Sequence, residues 1–310
     1  MKVSQKKILL LFLVLLLIGG AFFFVPRKRP LMSYLNRAEE AFQDKEFNRS
    51  IELYLQALKY YPNHERNPDI LLTIGDIYNF SLGNPDKAGT AYEMVTEKYS
   101  KTIFSRKALQ NSGEMYEKDE QYQRALLSYQ GIVDAFPSAG DVDEIRYRVA
   151  MMALKLKKFE PARRSLMAIV ETNPNTMIAD KVLYELGNIF FREGAHKQSV
   201  QVLKVAVEKF PESPLNTEMK FSLANAYEEQ GHLEKALKIY RSILENYPNP
   251  QVVKNKIENI EGKHKEKREM IKKIQETKNK AKKDSKAKGV STQKRRKVGP
   301  LNNNDGALSP

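Results

Sequence analysis

The 310-residue chain contains no cysteine. That absence excludes disulfide bonds, thiolate catalysis and cysteine zinc sites, and it leaves the redox compartment undetermined. The four histidines are scattered, and no two of them have the short helical spacing of a metal site. Glycine-rich phosphate loops, nucleophile elbows and carboxylate pairs with an adjacent histidine are missing as well. We therefore expect a protein without enzymatic activity, metal or cofactor.

Acidic residues are scarce at both ends of the chain, whose net charge is +14. Residues 1–29 carry six Lys or Arg and no acid, and residues 254–310 carry 18 Lys or Arg against seven acids. The remaining body, residues 30–253, therefore has a net charge of −3. Because the basic excess lies in the two appendages, it does not indicate that the body binds nucleic acid.

Residues 8–25 form a run without one charged or polar side chain. A helix of this length covers about 27 Å, close to the hydrocarbon thickness of a bilayer, so residues 1–29 are predicted to hold a transmembrane anchor. A cleaved signal peptide is the alternative, but the run is long for such a signal, and Phe22–Phe24 stand where small residues would be needed. Basic residues flank both ends and leave the orientation open. A short N-terminal tail favours an extracytoplasmic body.

Prolines recur at a fixed interval in the body. Pro137, Pro174, Pro211 and Pro248 are separated from one another by 37 residues. Proline has no backbone N–H and clashes with the preceding turn, so it ends a helix wherever it recurs. A fixed period of helix ends indicates a repeat.

Small and aromatic residues follow the same period. Two earlier repeats match the pattern, and the second of them has one extra residue between positions 78 and 88 and Ser100 in place of the proline. The pattern predicts six repeats within residues 30–248, at 31–62, 68–100, 106–137, 143–174, 180–211 and 217–248. The four ladders are Gly113, Ala150, Gly187 and Ala224; Tyr116, Ala153, Phe190 and Tyr227; Ala125, Ala162, Ser199 and Ala236; and Tyr129, Leu166, Leu203 and Tyr240.

Each repeat has the pattern of two amphipathic helices joined by a turn. In the last repeat, Ala224 and Tyr227 mark one helical stripe, and Ala236 and Tyr240 mark a second. Gly231 lies between the stripes, where a left-handed residue at a helix C-terminus is favoured. One hairpin cannot bury both stripes alone, so neighbouring repeats must stack to form a core.

This order of small, aromatic, small, aromatic and terminal proline resembles the tetratricopeptide repeat, whose usual unit has 34 residues. The resemblance covers residues 31–248, although the tryptophan often found early in such a repeat is missing. It implies an all-α fold, a right-handed superhelical solenoid of helix-turn-helix repeats. The three added residues per repeat are similar to those of bacterial envelope proteins, such as outer-membrane assembly lipoproteins and periplasmic cell-division coordinators.

In that family the first helix of each repeat lines a concave groove, so the resemblance implies a protein-binding wall here. Amides and apolar anchors on such a wall could bind an extended peptide, and packing between neighbouring helices is the alternative role. Tyr184 and Phe221 occupy the places of the lysine in a carboxylate clamp, which favours an internal segment or a folded partner. The candidate residues are Leu72, Asp76, Asn79, Gln110, Glu114, Tyr147, Met151, Tyr184, Asn188, Phe191, Phe221 and Asn225.

The segment after Pro248 is charged and sparsely apolar. Residues 249–283 are predicted to cap the repeats and then continue as a charged helix. Residues 284–310 are too polar and too rich in helix breakers to fold alone, which predicts a disordered basic tail. The basic side chains could bind anionic lipid or nucleic acid, or only keep the chain solvated. They are Lys278, Lys280, Lys282, Lys283, Lys286, Lys288, Lys294, Arg295, Arg296 and Lys297.

Together these features favour an adaptor or scaffold that is anchored in the lipid bilayer through residues 8–25 and binds a protein or peptide in its groove. Its expected place is a bacterial envelope. The alternative is a cytoplasm-facing protein whose basic tail contacts nucleic acid or the ribosome, with the repeats as a rigid spacer.

Overall fold

The computed structural model describes residues 29–295, with side chains as far as Lys282. The described residues form thirteen α-helices and no strand, which confirms the predicted all-α fold. The apolar run of residues 8–25 lies outside this range. Within it, every helix is too short or too polar to cross a bilayer. The helices are α1 (Leu31–Gln43), α2 (Phe47–Tyr60), α3 (Asn67–Asp76), α4 (Pro85–Lys98), α5 (Ile103–Lys118), α6 (Tyr122–Ala135), α7 (Val142–Lys155), α8 (Phe159–Thr172), α9 (Ala179–Arg192), α10 (His196–Lys209), α11 (Asn216–Glu229), α12 (Leu233–Ile243) and α13 (Pro250–Arg295).

The chain divides into two compact units. The N-terminal unit ends at Val182 and contains α1–α8 and the start of α9, and the C-terminal unit begins at Leu183 and contains the rest of α9 and α10–α13. Each of the six predicted repeats contains one pair of helices. Within each unit, helices that follow one another in the chain pack together, as α1 packs on α2 and α11 on α12.

All six hairpins turn through a left-handed residue, which lies two positions after the first helix in five of them. In the second hairpin it is Gly83, two positions after the π-helical turn Ile77–Ser81 that continues α3. Three hairpins use glycine there. Gly231 has a φ angle of 75°, which confirms the left-handed conformation predicted for this residue. The other three use Lys45, Glu120 and Lys157, with φ of 58° to 62°. Since the left-handed region costs a non-glycine residue about 1–2 kcal/mol, the tight connection between the helices dictates this conformation even where no glycine is available.

Small residues of the first helix receive rings from the second. A Cβ added at Gly113 would lie 2.7 Å from a ring atom of Tyr129, and one added at Gly75 would lie 2.5 Å from Tyr92. No side chain fits at such distances without displacing the ring. In both hairpins a small residue of the first helix therefore lies in close contact with a ring of the second.

The extra residue of the second repeat is absorbed by a π-helical turn, Ile77–Ser81, that continues α3. A π-helical turn carries one residue more than an α-helical turn, and such turns occur frequently at functional sites. The insertion therefore changes the direction of the side chains at the end of this helix alone.

The long helix α13 begins as a cap and ends beyond its predicted limit. Val253, Ile257 and Ile260 are buried against the apolar residues of α11 and α12, as the cap prediction requires. The sequence predicts a helix end near residue 283 and disorder beyond it, whereas residues 284–295 continue the helix to Arg295. Residues 296–310 lie outside the described range.

Candidate functional site

The predicted groove residues of α3 lie in different environments. Leu72 is 3 % exposed and belongs to the core of the N-terminal unit, so its assignment to an open groove wall is wrong. The reason is that α3 packs against both α4 and α5, which cover this side of the helix. Asp76 and Asn79, farther along, are half-buried.

A tyrosine hydroxyl engages Asp76. The Tyr92 hydroxyl donates a 2.7 Å hydrogen bond to Asp76 Oδ1, and Asn111 Nδ2 of α5 donates a second, also of 2.7 Å, to the same oxygen. Burial raises the pKa of Tyr92 above its ordinary value, and the hydrogen bond to Asp76 adds to the increase, so this hydroxyl remains a donor. Asp76 thereby links α4 of its own hairpin to α5 of the next one.

The same arrangement recurs one repeat later with residues that the sequence pattern did not reveal. The Tyr129 hydroxyl donates to Glu117 Oε2 at 2.7 Å, and Arg148 Nη1 of α7 donates to both groups, at 2.9 Å to the hydroxyl and 3.1 Å to the carboxylate. Arg148 also lies 4.0 Å from the predicted groove residue Glu114, which accepts a 3.2 Å hydrogen bond from Gln110. The 37-residue tyrosine ladder was the available signal for this cluster.

The two α7 candidates lie one helical turn apart. Tyr147 and Met151 are both half-buried. Met151 packs against the apolar core of the N-terminal unit, so its contribution is at least partly to packing.

In the C-terminal unit, Asn225 is occupied by an internal hydrogen bond. The Tyr240 hydroxyl donates to Asn225 Oδ1 at 2.7 Å and to Glu228 Oε2 at 3.1 Å. Lys256 and Lys263 of α13 lie 3.0 and 3.8 Å from the Glu228 carboxylate. Asn225 and Glu228 therefore connect the last hairpin to its cap.

A second set of side chains in this unit leaves polar groups unused. Phe221 stacks on Tyr247 with ring centroids 4.6 Å apart. Burial raises the pKa of Tyr247, and the nearby Tyr184 and Glu218 raise it further. Glu218 Oε2 is buried without a hydrogen bond to any described residue, and the half-buried amide of Asn188, one turn after Tyr184, likewise forms none within the described range. We call Tyr184, Asn188, Glu218 and Phe221 the α9–α11 wall.

The remaining α9 candidate closes its own hairpin. Phe191 lies edge-on against His196 at the start of α10, with ring centroids 5.2 Å apart. On the same helix, burial raises the pKa of the Glu185 carboxyl, an effect that Arg192 partly opposes.

A cleft in the N-terminal unit was not predicted. It has a volume of about 150 Å³ and lies beside the π-helical turn, where Phe80 is 73 % exposed. Phe80 stands five positions after Gly75, and the corresponding residues of the other repeats are all polar or charged. That difference, together with the extra residue, was the signal in the sequence. The cleft is lined by Glu39, Phe42, Tyr54, Thr73, Asp76, Ile77, Phe80 and Ser81.

The basic residues of the C-terminal segment are distributed along α13. Lys278, Lys280 and Lys282 are exposed, and Lys283, Lys286, Lys288, Lys294 and Arg295 continue the same helix. Arg296 and Lys297 lie outside the described residues. Among the residues that the structure describes, no cluster of histidine and acidic side chains could hold a metal ion.

Comparisons with known proteins give one consistent description of the fold. Two family models, both described as tetratricopeptide repeat, match residues 69–102 and 190–257. No curated protein matches the sequence. The structure of Naa15/Naa10 bound to HypK-THB matches with a TM-score of 0.51 and 16 % identity over 77 % of this chain, which spans only 35 % of that one.

Two smaller structures match less closely. The crystal structure of YrrB, described as a TPR protein with an unusual peptide-binding site, has a TM-score of 0.49 and 15 % identity over 65 % of this chain and 96 % of that chain. A tetratricopeptide repeat protein from Parabacteroides merdae has a TM-score of 0.44 and 16 % identity, over 74 % and 86 % of the two chains. The two family models therefore identify tetratricopeptide repeats within residues 69–102 and 190–257.

Proposed function

We propose that this chain is an adaptor that is held in a membrane by residues 8–25 and binds a protein partner along its repeats, as a scaffold in a bacterial envelope. Tetratricopeptide repeats generally mediate interactions between proteins. The observation that carries the proposal is the half-buried amide of Asn188, which forms no hydrogen bond within the described residues and lies one helical turn after Tyr184.

The α9–α11 wall offers the groups that an extended segment needs. Peptide backbones are bound through amide donors and acceptors, while pockets between aromatic rings hold alternate side chains. A buried polar atom without a partner is costly, about 1–3 kcal/mol, so Glu218 Oε2 favours a ligand that brings a donor to it. Asn225 is the matched contrast, because its amide already binds the Tyr240 hydroxyl.

The first test places a photoreactive p-benzoyl-phenylalanine at Tyr184 in the full chain and looks for a crosslinked protein in cells. We expect a defined product from this position and none from Val205, a 50 % exposed residue of α10. Asn188→Ala should lower the crosslink yield about tenfold, the effect of about 1.4 kcal/mol, without changing the free energy of unfolding. Asn225→Ala should instead lower the free energy of unfolding by about 1 kcal/mol. Equal crosslinking with and without Asn188 would contradict the proposal.

The anchor is tested separately. Because the chain has no cysteine, Ser309→Cys provides a single thiol. Labelling by a membrane-impermeant maleimide in intact cells would support an extracytoplasmic body. If the thiol is labelled only after the cells are lysed, the body lies in the cytoplasm, which would contradict the proposed envelope location. Extraction of the protein from membranes by carbonate alone would contradict the proposal that residues 8–25 anchor the chain in the bilayer.

The second candidate function, nucleic-acid or ribosome binding from the cytoplasm, is favoured by the exposed lysines of α13. Residues 278–310 carry ten of the 52 basic residues and only two acids. Binding of this kind is electrostatic and falls steeply with salt. Deleting residues 278–310 distinguishes the two functions. Loss of nucleic acid from a pull-down with unchanged protein partners favours the second, and retention of every partner favours a tail that only solvates the chain.

A further inference from the structure

The cleft beside the π-helical turn has an apolar floor and an exposed aromatic rim. Tyr54 and Ile77 are buried beneath it, and Phe42 is half-buried at its side. Phe80 is 73 % exposed, and this location follows from the extra residue, since a π-helical turn rotates the side chains that come after it. An apolar cavity of about 150 Å³ has the size that holds a benzene ring. The cleft can therefore take one aromatic or branched aliphatic side chain.

Two carboxylates at the cleft have no cationic partner among the described residues. Glu39 is exposed, and its carboxylate accepts hydrogen bonds from the neutral side chains of Gln43 and Tyr54. Asp76 accepts both of its hydrogen bonds, from Tyr92 and Asn111, through Oδ1, and Oδ2 accepts none from the part of the chain that the structure describes.

Arg66, a cation near this surface, is already paired within the described residues. Burial raises the pKa of Tyr54. The nearby carboxylates of Glu39 and Asp69 raise this pKa further, and Arg66 opposes the increase. Arg66 lies 3.8 Å from Asp69, which leaves Glu39 and Asp76 as the uncompensated charges of the cleft.

We propose that this cleft binds an extended segment of a partner protein in which a large apolar side chain stands next to lysine or arginine. The apolar side chain would enter between Phe42, Ile77 and Phe80, and the flanking cation would contact Glu39 and Asp76. Apolar burial supplies affinity, and charge complementarity selects the sequence and the orientation. The inference rests on the proposed function, that the repeats bind a protein partner, and assigns to that partner a chemistry and a site.

The experiment selects random peptides displayed on phage against the full chain, which is kept in detergent because of residues 8–25. Selected peptides are then synthesised with a fluorophore, and their affinities are measured by fluorescence anisotropy. We expect selected sequences to combine Phe, Tyr, Leu or Met with an adjacent Lys or Arg. Phe80→Ser should weaken binding at least about tenfold. Ile103→Ser, which removes a 68 % exposed side chain of α5 outside the cleft, should leave the affinity unchanged.

The carboxylates are tested with Asp76→Asn and Glu39→Gln, which keep hydrogen-bond acceptors for Tyr92 and Gln43. Each variant should weaken binding of Lys- or Arg-bearing peptides and reduce the dependence of affinity on salt, while circular dichroism melts stay the same. Recovery of no peptide, selection of peptides without basic residues, or equal binding by Phe80→Ser would overturn the inference.

Two segments of the chain itself have the same chemistry and serve as defined probes. Synthetic peptides of residues 20–30 and 293–301 contain apolar residues next to Arg or Lys. If either peptide binds tightly and in a Phe80-dependent manner, and no selected random peptide binds as tightly, the ligand of the cleft is a segment of this chain. That result would overturn the inference of a separate partner protein. Crosslinking from Tyr184 is independent of this cleft, so its failure beside successful peptide binding would count against the α9–α11 wall alone.

Discussion

Three tyrosines of the second helices, Tyr92, Tyr129 and Tyr240, are at most 1 % exposed, yet each places its hydroxyl on a polar partner. A buried hydroxyl without a partner would be costly, so the groups around it must be complementary. Each hydroxyl reaches a carboxylate or amide of the first helix in its own hairpin. Leu166 and Leu203 occupy the same ladder and need no such partner.

Removing one of these hydroxyls should cost stability. In Tyr129→Phe the ring keeps its place against Gly113, while Glu117 and Arg148 lose a shared partner, so we expect the free energy of unfolding to fall by about 1.5–3 kcal/mol. Tyr116→Phe is the control, because its hydroxyl forms no hydrogen bond to a described residue, and should stay within about 0.5 kcal/mol. Urea titrations followed by circular dichroism measure both, and equal losses would refute the assigned role.

The same tyrosines predict sensitivity to alkali. Burial raises the pKa of Tyr92, Tyr129 and Tyr240 above the ordinary value of about 10. Since the folded pKa lies above the unfolded one, this stabilisation is complete below about pH 10 and is lost as the pH rises through the folded pKa. Between about pH 8 and pH 11 the natural protein should lose more unfolding free energy than Tyr129→Phe does. Parallel losses would show that Tyr129 titrates normally.

Helix α13 is charged along its whole length, but only its first part packs against the last hairpin. Ile260 is fully buried against the last hairpin, whereas Ile274 on the same helix is 46 % exposed. The position of a residue on the helix, rather than its type, therefore decides its contribution.

This difference gives a matched pair of variants. Ile260→Ala should lower the free energy of unfolding by about 2–5 kcal/mol, because it leaves a cavity under the cap. Ile274→Ala should change it by less than about 0.5 kcal/mol. Thermal and urea unfolding of the two proteins test the assignment, and similar values would mean that the cap is not part of the cooperative core.

Local sequence signals sufficed for some elements and failed for others. The proline period and the small residues located every hairpin, because both act within one repeat, as Gly113 and Tyr129 do. Leu72, Asp76 and Asn225 were assigned to a groove, but their environments depend on a neighbouring helix that periodicity cannot place. The extra residue of the second repeat was visible in the sequence, whereas its effect on Phe80 required the backbone geometry of the π-helical turn.

The charge of the whole chain is separable from its stability. Residues 278–310 contribute ten basic and two acidic residues, which is eight of the fourteen net positive charges. The described side chains of this segment, Lys278 to Lys282, are exposed. We expect the chain without residues 278–310 to elute from a cation exchanger at lower salt and to unfold at an unchanged urea concentration. A lower urea midpoint would show that the tail packs on the repeats.

The tyrosine clusters also protect the order of assembly. Arrays of similar repeats are prone to misfolding by slippage, in which one hairpin docks in the place of another. Here each junction has its own chemistry: Tyr92 joins Asp76 to Asn111, while Tyr129 joins Glu117 to Arg148. A slip by one period would bring Glu185 to the place of Arg148 and set two carboxylates against each other. The polar residues between neighbouring hairpins thus make each hairpin complementary to its correct neighbour and repulsive toward the following one.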